Sequence, residues 1–396
     1  MSFDTELNPY RPAENPPAFE GVSPLYCDYN ATTPIPGALA AMARDAYSMH
    51  WVNQSASYKE AEQEARLARV LRQRFAGLLY DMDKTIICGS ATEAINLAIY
   101  SLARNLGDTG HLLISDLEHA AVKNAARAWF GDRLFIVSTP RLLNSDFSEI
   151  SKAIVDQPNS VFFLQAASNE TGSILPIQEI RNHFPQILLF TDASQLLGKC
   201  PDFMDILEGI DGAVFSPHKF YGPKGIGVLN WSVRSGQLYP MVHGGGQESG
   251  FRSGTENSPL IYMTNRWFEM LPSLMNEWTK VVQFRNHFES AILSLVPESF
   301  VLGAGFSRLG NTSTICFPGV VSESSLAALD AVGIMASSGS ACSSGTREPS
   351  QSYLSMGLSW EQARCVVRFS FGIPNLRVSP EILADCVGSA IKKSKL

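Results

Sequence analysis

Short apolar runs alternate with segments of helical spacing from about residue 85 onwards. Apolar runs bounded by polar residues predict β-strands, and apolar residues three or four positions apart predict helices. The predicted strands are 85–88, 112–114, 134–137, 161–164, 187–190, 213–215 and 226–229, with helices at 94–102 and 120–130 between them. Repeated strand–helix units of this kind predict an α/β fold with a mostly parallel sheet and helices on both faces.

Polar side chains directly follow these predicted strands. In such a sheet, ligands bind at the carboxyl ends of the strands, which meet at one edge. We therefore expect these residues to lie close together: Thr92, His119, Asn169, Asp192, Gln195 and the segment 216–219. Each of them alone could equally be a helix cap or a satisfied turn residue.

The segment 216–225 joins two predicted strands and offers a hydroxyl, an imidazole and an amine on Ser216, His218 and Lys219. A pyridoxal-phosphate enzyme needs such a set, because the amine reacts with the aldehyde and the other groups donate to the phosphate. A polar hairpin turn is the alternative, since Gly- and Pro-rich turns with a lysine are common.

Two further features suit the same cofactor. The small-residue turn 89–93 connects a strand to a helix, where free N–H groups favour an anion such as a phosphate. A plain strand-to-helix connection capped by Thr92 would give the same pattern. Asp192 could keep a pyridine nitrogen protonated, so that the ring withdraws electrons, although an Asp in a loop is more often a cap or turn residue.

The pattern changes near residue 240. A Gly-rich polar loop spans 239–257, and a helix over about 260–295 with a break near Pro272 leads into a second unit. The predicted elements of this unit are strands 313–317 and 366–371 and helices 322–332 and 380–393. Because 396 residues exceed one ordinary core, we predict an N-terminal arm at 1–23, a large domain at 24–270 and a small C-terminal domain at 271–396.

Composition and charge exclude several classes of protein. With 45% apolar and 17% charged residues, the chain has the composition of a soluble globular protein. The net charge of −7 is mild and basic residues cluster only at 392–395, so binding to nucleic acid has no electrostatic support. No uncharged apolar run reaches the ~18–20 residues of a membrane span.

Seven cysteines are scattered along the chain without a CxxC pair, so neither a disulfide framework nor a metal site is indicated. Cys342 differs from the others because it lies in the Ser- and Gly-rich stretch 337–345. Small, flexible residues could not bury it in a packed core. We therefore expect a thiol exposed on a mobile loop.

Nine signatures follow one another between residues 26 and 372. They are Tyr26-Cys27-Asp28-Tyr29-Asn30-Ala31-Thr32-Thr33-Pro34, Ala91-Thr92-Glu93, Glu118-His119, Asn169-Glu170-Thr171-Gly172, Asp192-Ala193-Ser194-Gln195, His218-Lys219, the loop 244–257, Ser338-Gly339-Ser340-Ala341-Cys342 and Arg368-Phe369-Ser370. In this order they resemble the signatures of cysteine desulfurases. The stretch 338–344, with Glu348-Pro349-Ser350 after it, is similar to the longer-loop group I of that family.

The resemblance implies a fold-type I architecture of the class V aminotransferase family, working as a homodimer with pyridoxal 5'-phosphate. Lys219 would hold the cofactor, His119 would stack on its ring, Asp192 would pair with the pyridine nitrogen and Gln195 would donate to the phenolic oxygen. The phosphate would be bound by the Ala91–Thr92 turn, Ser216 and His218, with Thr255 from the other subunit. The substrate would be bound by Asn30, Asn169 and Arg368, whose planar fork suits a carboxylate.

The implied reaction converts L-cysteine to L-alanine. Lys219 would remove the α-proton, and Cys342 would attack the substrate sulfur and keep it as a persulfide. A sulfur-acceptor protein, an iron–sulfur scaffold or a tRNA-thiolation protein, would then receive the sulfur in the cytoplasm.

Two alternatives stay open. The Asp28-Tyr29-Asn30 form, Tyr58 and the stretch 238–241 resemble selenocysteine lyases, which would release selenium from L-selenocysteine. A non-catalytic or scaffold homologue is the second alternative, because enzyme folds are reused. It is disfavoured because none of the matched catalytic positions is degraded.

Overall fold

The computed structural model describes residues 18–79, 82–339 and 348–395. Within these ranges the strands form a seven-stranded sheet and a separate three-stranded sheet. The strands are β1 (Lys84–Cys88), β2 (His111–Ser115), β3 (Leu134–Val137), β4 (Ser160–Gln165), β5 (Leu188–Asp192), β6 (Gly212–Phe215), β7 (Gly227–Trp231), β8 (Phe300–Val301), β9 (Thr312–Cys316) and β10 (Val366–Ser370). The helices are α1 (Gly37–Ala41), α2 (Ala43–Met49), α3 (Lys59–Ala76), α4 (Ala91–Leu106), α5 (Ala120–Phe130), α6 (Thr139–Leu143), α7 (Ser148–Asp156), α8 (Ile177–His183), α9 (Phe203–Ile206), α10 (Ser258–Asn276), α11 (Trp278–Leu295), α12 (Ser322–Asp330), α13 (Gln351–Ser355), α14 (Trp360–Ala363) and α15 (Pro380–Lys393).

The seven-stranded sheet has the order β1-β7-β6-β5-β4-β2-β3. All neighbours from β6 to β3 pair in parallel, which confirms the predicted mostly parallel α/β sheet. β7 lies antiparallel between β6 and β1, with Trp231 opposite both Gly212 and Lys84. The segment that carries Lys219 therefore connects two antiparallel neighbours, as a hairpin connection does.

Both faces of this sheet are covered, which explains the continuous apolar runs. Leu113 and Phe162 belong to one buried cluster, whereas Ile114 and Phe163 belong to a second. Because successive residues of a strand point to opposite faces, these clusters lie on opposite sides of the sheet. Helices α4 and α5 contribute to the second cluster, and α3 and α10 contribute to the first.

The three-stranded sheet has the order β10-β9-β8 and is antiparallel. Two aromatic rings of α11 pack on it: Phe288 lies 5.2 Å from Phe369 and Phe284 lies 5.2 Å from Phe371, measured between ring centroids. These rings belong to the same buried cluster as Phe162 of the large sheet. One apolar core therefore extends from the large sheet to the small one.

The helix break predicted near Pro272 is wrong in position. Helix α10 continues through Pro272 to Asn276, and the break lies at Glu277. A proline inside a helix removes one N–H and usually kinks or ends it. Here Leu271 and Leu274 are buried on either side of the proline, so tertiary packing maintains the helix.

The domain division stays a prediction, and its boundary between residues 270 and 271 falls inside α10. Of the predicted arm at 1–23, only residues 18–23 are described. Phe19 in this part is buried, with its ring centroid 4.9 Å from that of Tyr221. Across the described ranges, no helix has the length and apolar character needed to cross a bilayer.

A glycine positions the start of α4 against the sheet. A Cβ added at Gly227 of β7 would lie 2.2 Å from the carbonyl carbon of Ser90 and 2.4 Å from the nitrogen of Ala91. Both neighbours are backbone atoms, so no flexible side chain could move aside. Only a glycine therefore lets β7 and the N-terminus of α4 approach this closely.

Gly227→Ala should destabilise the protein by about 1–3 kcal/mol, because the added methyl group overpacks the contact with α4. Urea unfolding followed by circular dichroism measures this change. The matched control is Gly305→Ala, because a Cβ there meets nothing within 4 Å. Equal midpoints for the two variants would show that the contact at Gly227 is not tight.

Candidate active site

Lys219 follows β6 directly at the carboxyl end of that strand. Ser216 leads into a single 3₁₀ turn over Pro217–Lys219, whose first residue is a proline with a suitable fixed φ. The Lys219 amine donates to the backbone oxygen of Asn30 at 3.1 Å and to that of Ala31 at 2.8 Å. A buried strand and a rigid turn therefore determine where this amine lies.

The polar residues at the strand ends surround a cavity of about 140 Å³. The lining residues are Ser90, Ala91, Thr92, Ile95, His119, Gln165, Ala167, Asn169, Asp192, Ser194, Gln195, Ser216, His218 and Lys219. The site residues predicted from the sequence that occur among them are Ala91, Thr92, His119, Asn169, Asp192, Gln195, Ser216, His218 and Lys219. The parallel strands thus bring these residues together, while the chemical role of each stays a prediction.

Hydrogen-bond donors are concentrated where α4 begins. The side chain of Ser90 caps this helix by accepting from the nitrogen of Glu93 at 3.1 Å. The remaining N–H groups of the first turn and the helix dipole favour an anion at this end.

Burial, together with the nearby Lys219, lowers the pKa of His218 to about 4, so its ring is neutral at pH 7. Its Nδ1 lies 3.1 Å from Thr32 Oγ1.

A carboxyl group and a flat imidazole face the same cavity. Asp192 ends β5 and is largely buried, and the nitrogen of Ser194 donates to its Oδ1 at 2.9 Å. The Nδ1 of His119 accepts from the nitrogen of Ala121 at 3.1 Å, which places the ring proton on Nε2. Burial lowers the pKa of His119, although the Asp192 charge acts in the opposite direction.

These groups match what pyridoxal phosphate requires of a protein. The cavity offers an amine on Lys219, a helix N-terminus with hydroxyls for a phosphate, and a carboxyl group on Asp192. The buried Oγ of Ser194 in the lining has no hydrogen-bond partner among the described residues. An unsatisfied buried hydroxyl costs free energy, so it is suited to a bound polar group. The residues present therefore fit the cofactor.

Asn30 lies beside this cavity and is not part of its lining. Its Nδ2 donates to the backbone oxygen of Asn169 at 3.1 Å and to Thr312 Oγ1 at 2.9 Å. Its Oδ1 accepts from Lys199 Nζ at 3.0 Å and from Asn311 Nδ2 at 3.2 Å. An amide nitrogen has two hydrogens, so both are already used within the protein. The predicted contact of Asn30 with substrate stays a prediction.

Arg368 of β10 is only 1% exposed and is also absent from the cavity lining. Its Nη1 donates to the backbone oxygens of Asn169 and Gly339 at 3.1 Å each. Its Nη2 forms an ion pair with Asp28 Oδ1 at 2.5 Å. The Nε has no hydrogen-bond partner among the described residues. A substrate carboxylate would have to share this guanidinium with Asp28.

Thr255 does not reach the cavity of its own chain. It is exposed on the loop between β7 and α10, and it is not among the cavity-lining residues. A phosphate in this cavity could therefore meet Thr255 only from another subunit or after a rearrangement of the loop. Its predicted role across a subunit interface stays a prediction.

Cys342 falls within residues 340–347, which lie outside the described part of the chain. The residues on either side of this segment are described. The nitrogen of Gly339 donates to Tyr353 Oη at 2.8 Å, and the Ser350 hydroxyl donates to Glu170. Because Arg368 also binds the Gly339 oxygen, the segment that carries Cys342 starts beside the predicted carboxylate-binding arginine.

The sequence patterns did not identify Lys199, which is buried next to the cavity. Its Nζ donates to Gln195 Oε1 at 2.6 Å and to Asn30 Oδ1 at 3.0 Å. The only available signal was its position four residues after Gln195 in a segment of small and apolar residues. Lysines with that spacing are common, so the signal was weak.

Glu118 is buried and directly precedes the cavity-lining His119. Its Oε1 accepts from Ser115 Oγ at 2.7 Å and from the nitrogen of Gln165 at 2.8 Å. Burial raises the pKa of Glu118 to about 8, although these hydrogen bonds act in the opposite direction. The native carboxyl group therefore keeps its proton at neutral pH.

Comparison with known proteins identifies the family of the chain. The chain matches the aminotransferase class-V family over residues 25–378. It is 33% identical over 382 residues to a cysteine desulfurase, IscS, from Rickettsia felis, covering 93% of this chain and 92% of the relative. A cysteine desulfurase from Gluconacetobacter diazotrophicus is 33% identical over 380 residues, covering 93% of this chain and 94% of the relative. The solved structure of a NifS-like protein from Rickettsia africae superimposes with a TM-score of 0.77 at 24% identity, covering 93% of this chain and 98% of that one.

The chain therefore belongs to the aminotransferase class-V family and, within it, to the cysteine desulfurases. It is an enzyme, because its relatives are cysteine desulfurases. Its fold is the fold-type I architecture that the sequence resemblance predicted. Neither the selenocysteine lyase nor the scaffold alternative is favoured by these relatives.

Glu118→Gln should alter how stability depends on pH. Between the usual pKa of 4.5 and about 8, Glu118 ionises in the unfolded chain while the native group stays protonated. The wild type therefore loses stability relative to the variant as pH rises through this window, by up to about 1.4 kcal/mol per pH unit. Denaturant unfolding at several pH values measures the difference.

The control for this prediction is Glu361→Gln, because Glu361 is exposed at the start of α14. Hydrogen bonds lower the pKa of Glu361, so its charge is the same in the folded and unfolded chain from pH 5 to 8. Over this range that variant should differ from the wild type by a constant amount. A constant difference between Glu118→Gln and the wild type from pH 5 to 8 would contradict a protonated native Glu118.

Proposed function

We propose that this enzyme binds pyridoxal 5'-phosphate at Lys219, converts L-cysteine to L-alanine and transfers the sulfur to Cys342. The observation that carries the proposal is the cavity itself, in which the Lys219 amine shares one lining with Asp192, His119 and the N-terminus of α4. An amine, a carboxyl group, an imidazole and an anion-binding helix end together supply the groups that this cofactor needs from a protein.

Each group has a position suited to holding the cofactor. The turn at Ala91 and Thr92, together with Ser216 and the neutral His218, would bind its phosphate. Asp192 would pair with its ring nitrogen, His119 would stack on its ring, and Gln195 would donate to its ring oxygen. When bound, the cofactor supplies an electron-withdrawing ring that stabilises negative charge at the substrate α-carbon.

The protein groups then carry out proton transfer and orientation. Lys219 Nζ would take the proton from the α-carbon of L-cysteine as a general base. Arg368 would hold the substrate carboxylate with Asn169 beside it, since the two residues are already joined by a hydrogen bond of 3.1 Å. His119, with its proton on Nε2, is a candidate proton donor to the substrate.

The sulfur step balances without an external oxidant. The Cys342 thiolate would form a bond with the substrate sulfur while the carbon–sulfur bond breaks and its electron pair stays on carbon. That carbon takes up a proton to give L-alanine, and the persulfide stays on Cys342. The contacts of Gly339 and Ser350 support this step, because they place the ends of the Cys342 segment beside Arg368 and Glu170.

Three further features of the proposal concern the surroundings of the enzyme. A homodimer would bring Thr255 of one subunit to the phosphate of the other, and the exposure of Thr255 is compatible with this. The persulfide would pass to an acceptor protein for iron–sulfur cluster assembly or tRNA thiolation, which the IscS name of one relative supports. The cytoplasmic location stays a prediction.

Lys219→Ala and Cys342→Ala should lose different properties of the enzyme: the first its bound cofactor, the second its sulfide release. Lys219→Ala should lose the covalently held cofactor and its visible absorbance band. Cys342→Ala should keep that band but release sulfide from L-cysteine roughly 10³-fold more slowly, because the nucleophile is gone. Absorbance spectroscopy and a sulfide assay measure the two effects, with mass spectrometry of Cys342 to detect the bound sulfur.

The matched control is Cys386→Ala, which removes an exposed thiol of α15. This variant should keep both the cofactor band and the rate of sulfide release. Undiminished sulfide release by Cys342→Ala would exclude the proposed sulfur step. Turnover of L-selenocysteine with almost none of L-cysteine would favour the selenocysteine lyase alternative.

A further inference from the structure

Lys199 is a buried lysine that the proposed mechanism does not use. It is 2% exposed, and lysines are almost never this buried unless they are paired. None of the ion pairs among the described residues includes it. Its Nζ donates to three uncharged oxygens, namely Gln195 Oε1 at 2.6 Å, Asn30 Oδ1 at 3.0 Å and Tyr29 O at 3.4 Å.

The location of Lys199 makes a purely structural role costly. Burying an amine away from water is unfavourable, and three neutral acceptors compensate only part of the cost. An apolar side chain would fill the same space without this penalty. The backbone of Lys199 is separately fixed, because Trp278 Nε1 donates to its carbonyl oxygen at 2.7 Å. The amine therefore serves a purpose other than anchoring the chain.

The amine determines how two amide side chains are oriented. Lys199 Nζ donates to the amide oxygens of Gln195 and Asn30, so both oxygens face the amine. The amide nitrogen of Gln195 then points the other way and donates to the backbone oxygen of Asn30 at 2.9 Å. The same oxygen accepts from Lys219 Nζ at 3.1 Å. A continuous chain of hydrogen bonds thus leads from Lys199 through Gln195 and Asn30 to Lys219.

Three charged side chains act on the Lys199 amine, in addition to its burial. Burial lowers the pKa of Lys199 well below its usual value, and the charges of Lys219 and Arg368 act in the same direction. Asp28 acts in the opposite direction but lies too far away to form an ion pair with it. The amine is therefore surrounded mainly by positive charge and neutral acceptors.

We propose that Lys199 is a positioning residue, which holds the Gln195 amide so that its nitrogen uses one hydrogen on the Asn30 carbonyl and keeps the second for the cofactor, and which keeps Asn30 in place next to Lys219. The inference rests on the proposed function, because Gln195 and Lys219 act on the cofactor. It predicts that the loss of the Lys199 amine changes the properties of the bound cofactor through Gln195.

The test is a pH titration of the visible cofactor band in the loaded enzyme. In Lys199→Met the midpoint should move upwards by about one pH unit, because a misplaced Gln195 no longer donates to the ring oxygen and the more negative form is destabilised. Gln195→Leu should shift the midpoint in the same direction. In the double variant Lys199→Met/Gln195→Leu, the midpoint should equal that of Gln195→Leu, because the lysine acts through the glutamine.

The control is Lys280→Met, because Lys280 is exposed on α11 and pairs with Glu277. This variant should leave the midpoint unchanged. An unmoved midpoint in folded Lys199→Met, or additive shifts in the double variant, would overturn the inference. In either case the proposed function would stand, because it is tested separately by the cofactor band that depends on Lys219 and by sulfide release from L-cysteine.

A second variant tests the same contact if Lys199→Met does not fold. In Gln195→Glu the new carboxylate would meet Lys199 Nζ where Oε1 now lies, 2.6 Å away, and would be paired. The melting temperature of cofactor-free Gln195→Glu should therefore exceed that of cofactor-free Gln195→Leu, which leaves the amine short of an acceptor. The reverse order would show that Lys199 does not hold residue 195.

Discussion

The structure around the cavity depends on the buried polar groups of Asn30. This residue is 1% exposed, so each of its polar atoms must find a partner within the protein. Its backbone oxygen accepts from Gln195 and Lys219, which follow β5 and β6 of the large sheet. Its amide nitrogen donates to Thr312 of β9, and its backbone nitrogen donates to Ser370 of β10. One short segment thereby connects the two sheets, and the position of the Lys219 amine depends on both of them.

The antiparallel pairing of β7 with β6 explains why Lys219 lies in a short connection between two strands. A parallel connection would need a long crossover, whereas the antiparallel β7 follows after only the segment 216–226. Gly227 then lets the start of α4 approach the sheet, which brings the helix N-terminus to the same cavity as Lys219. The amine and the anion-binding end are therefore positioned by the same strand pair.

Much of the fold and most of the cavity could be predicted from the sequence, for a physical reason. Strands buried on both faces appear as apolar runs, and the parallel order brings the residues after them to one edge. The ion pair between Asp28 and Arg368 joins residues 340 positions apart, and no local pattern contains it. The burial of Lys199 and the helical continuation through Pro272 depend equally on tertiary packing, which overrides local preference.

The turn after β4 links the two halves of the proposed chemistry. The backbone oxygen of Asn169 accepts from Asn30, beneath Lys219, and from Arg368, beside the start of the Cys342 segment. The next residue, Glu170, accepts from Ser350 and Ser352, which follow that segment in the chain. Because Asn169 and Glu170 are adjacent, a displacement of this turn would move Arg368 and Ser350 together. The residues next to the proposed cofactor site and the residues that flank the Cys342 segment therefore contact the same backbone turn.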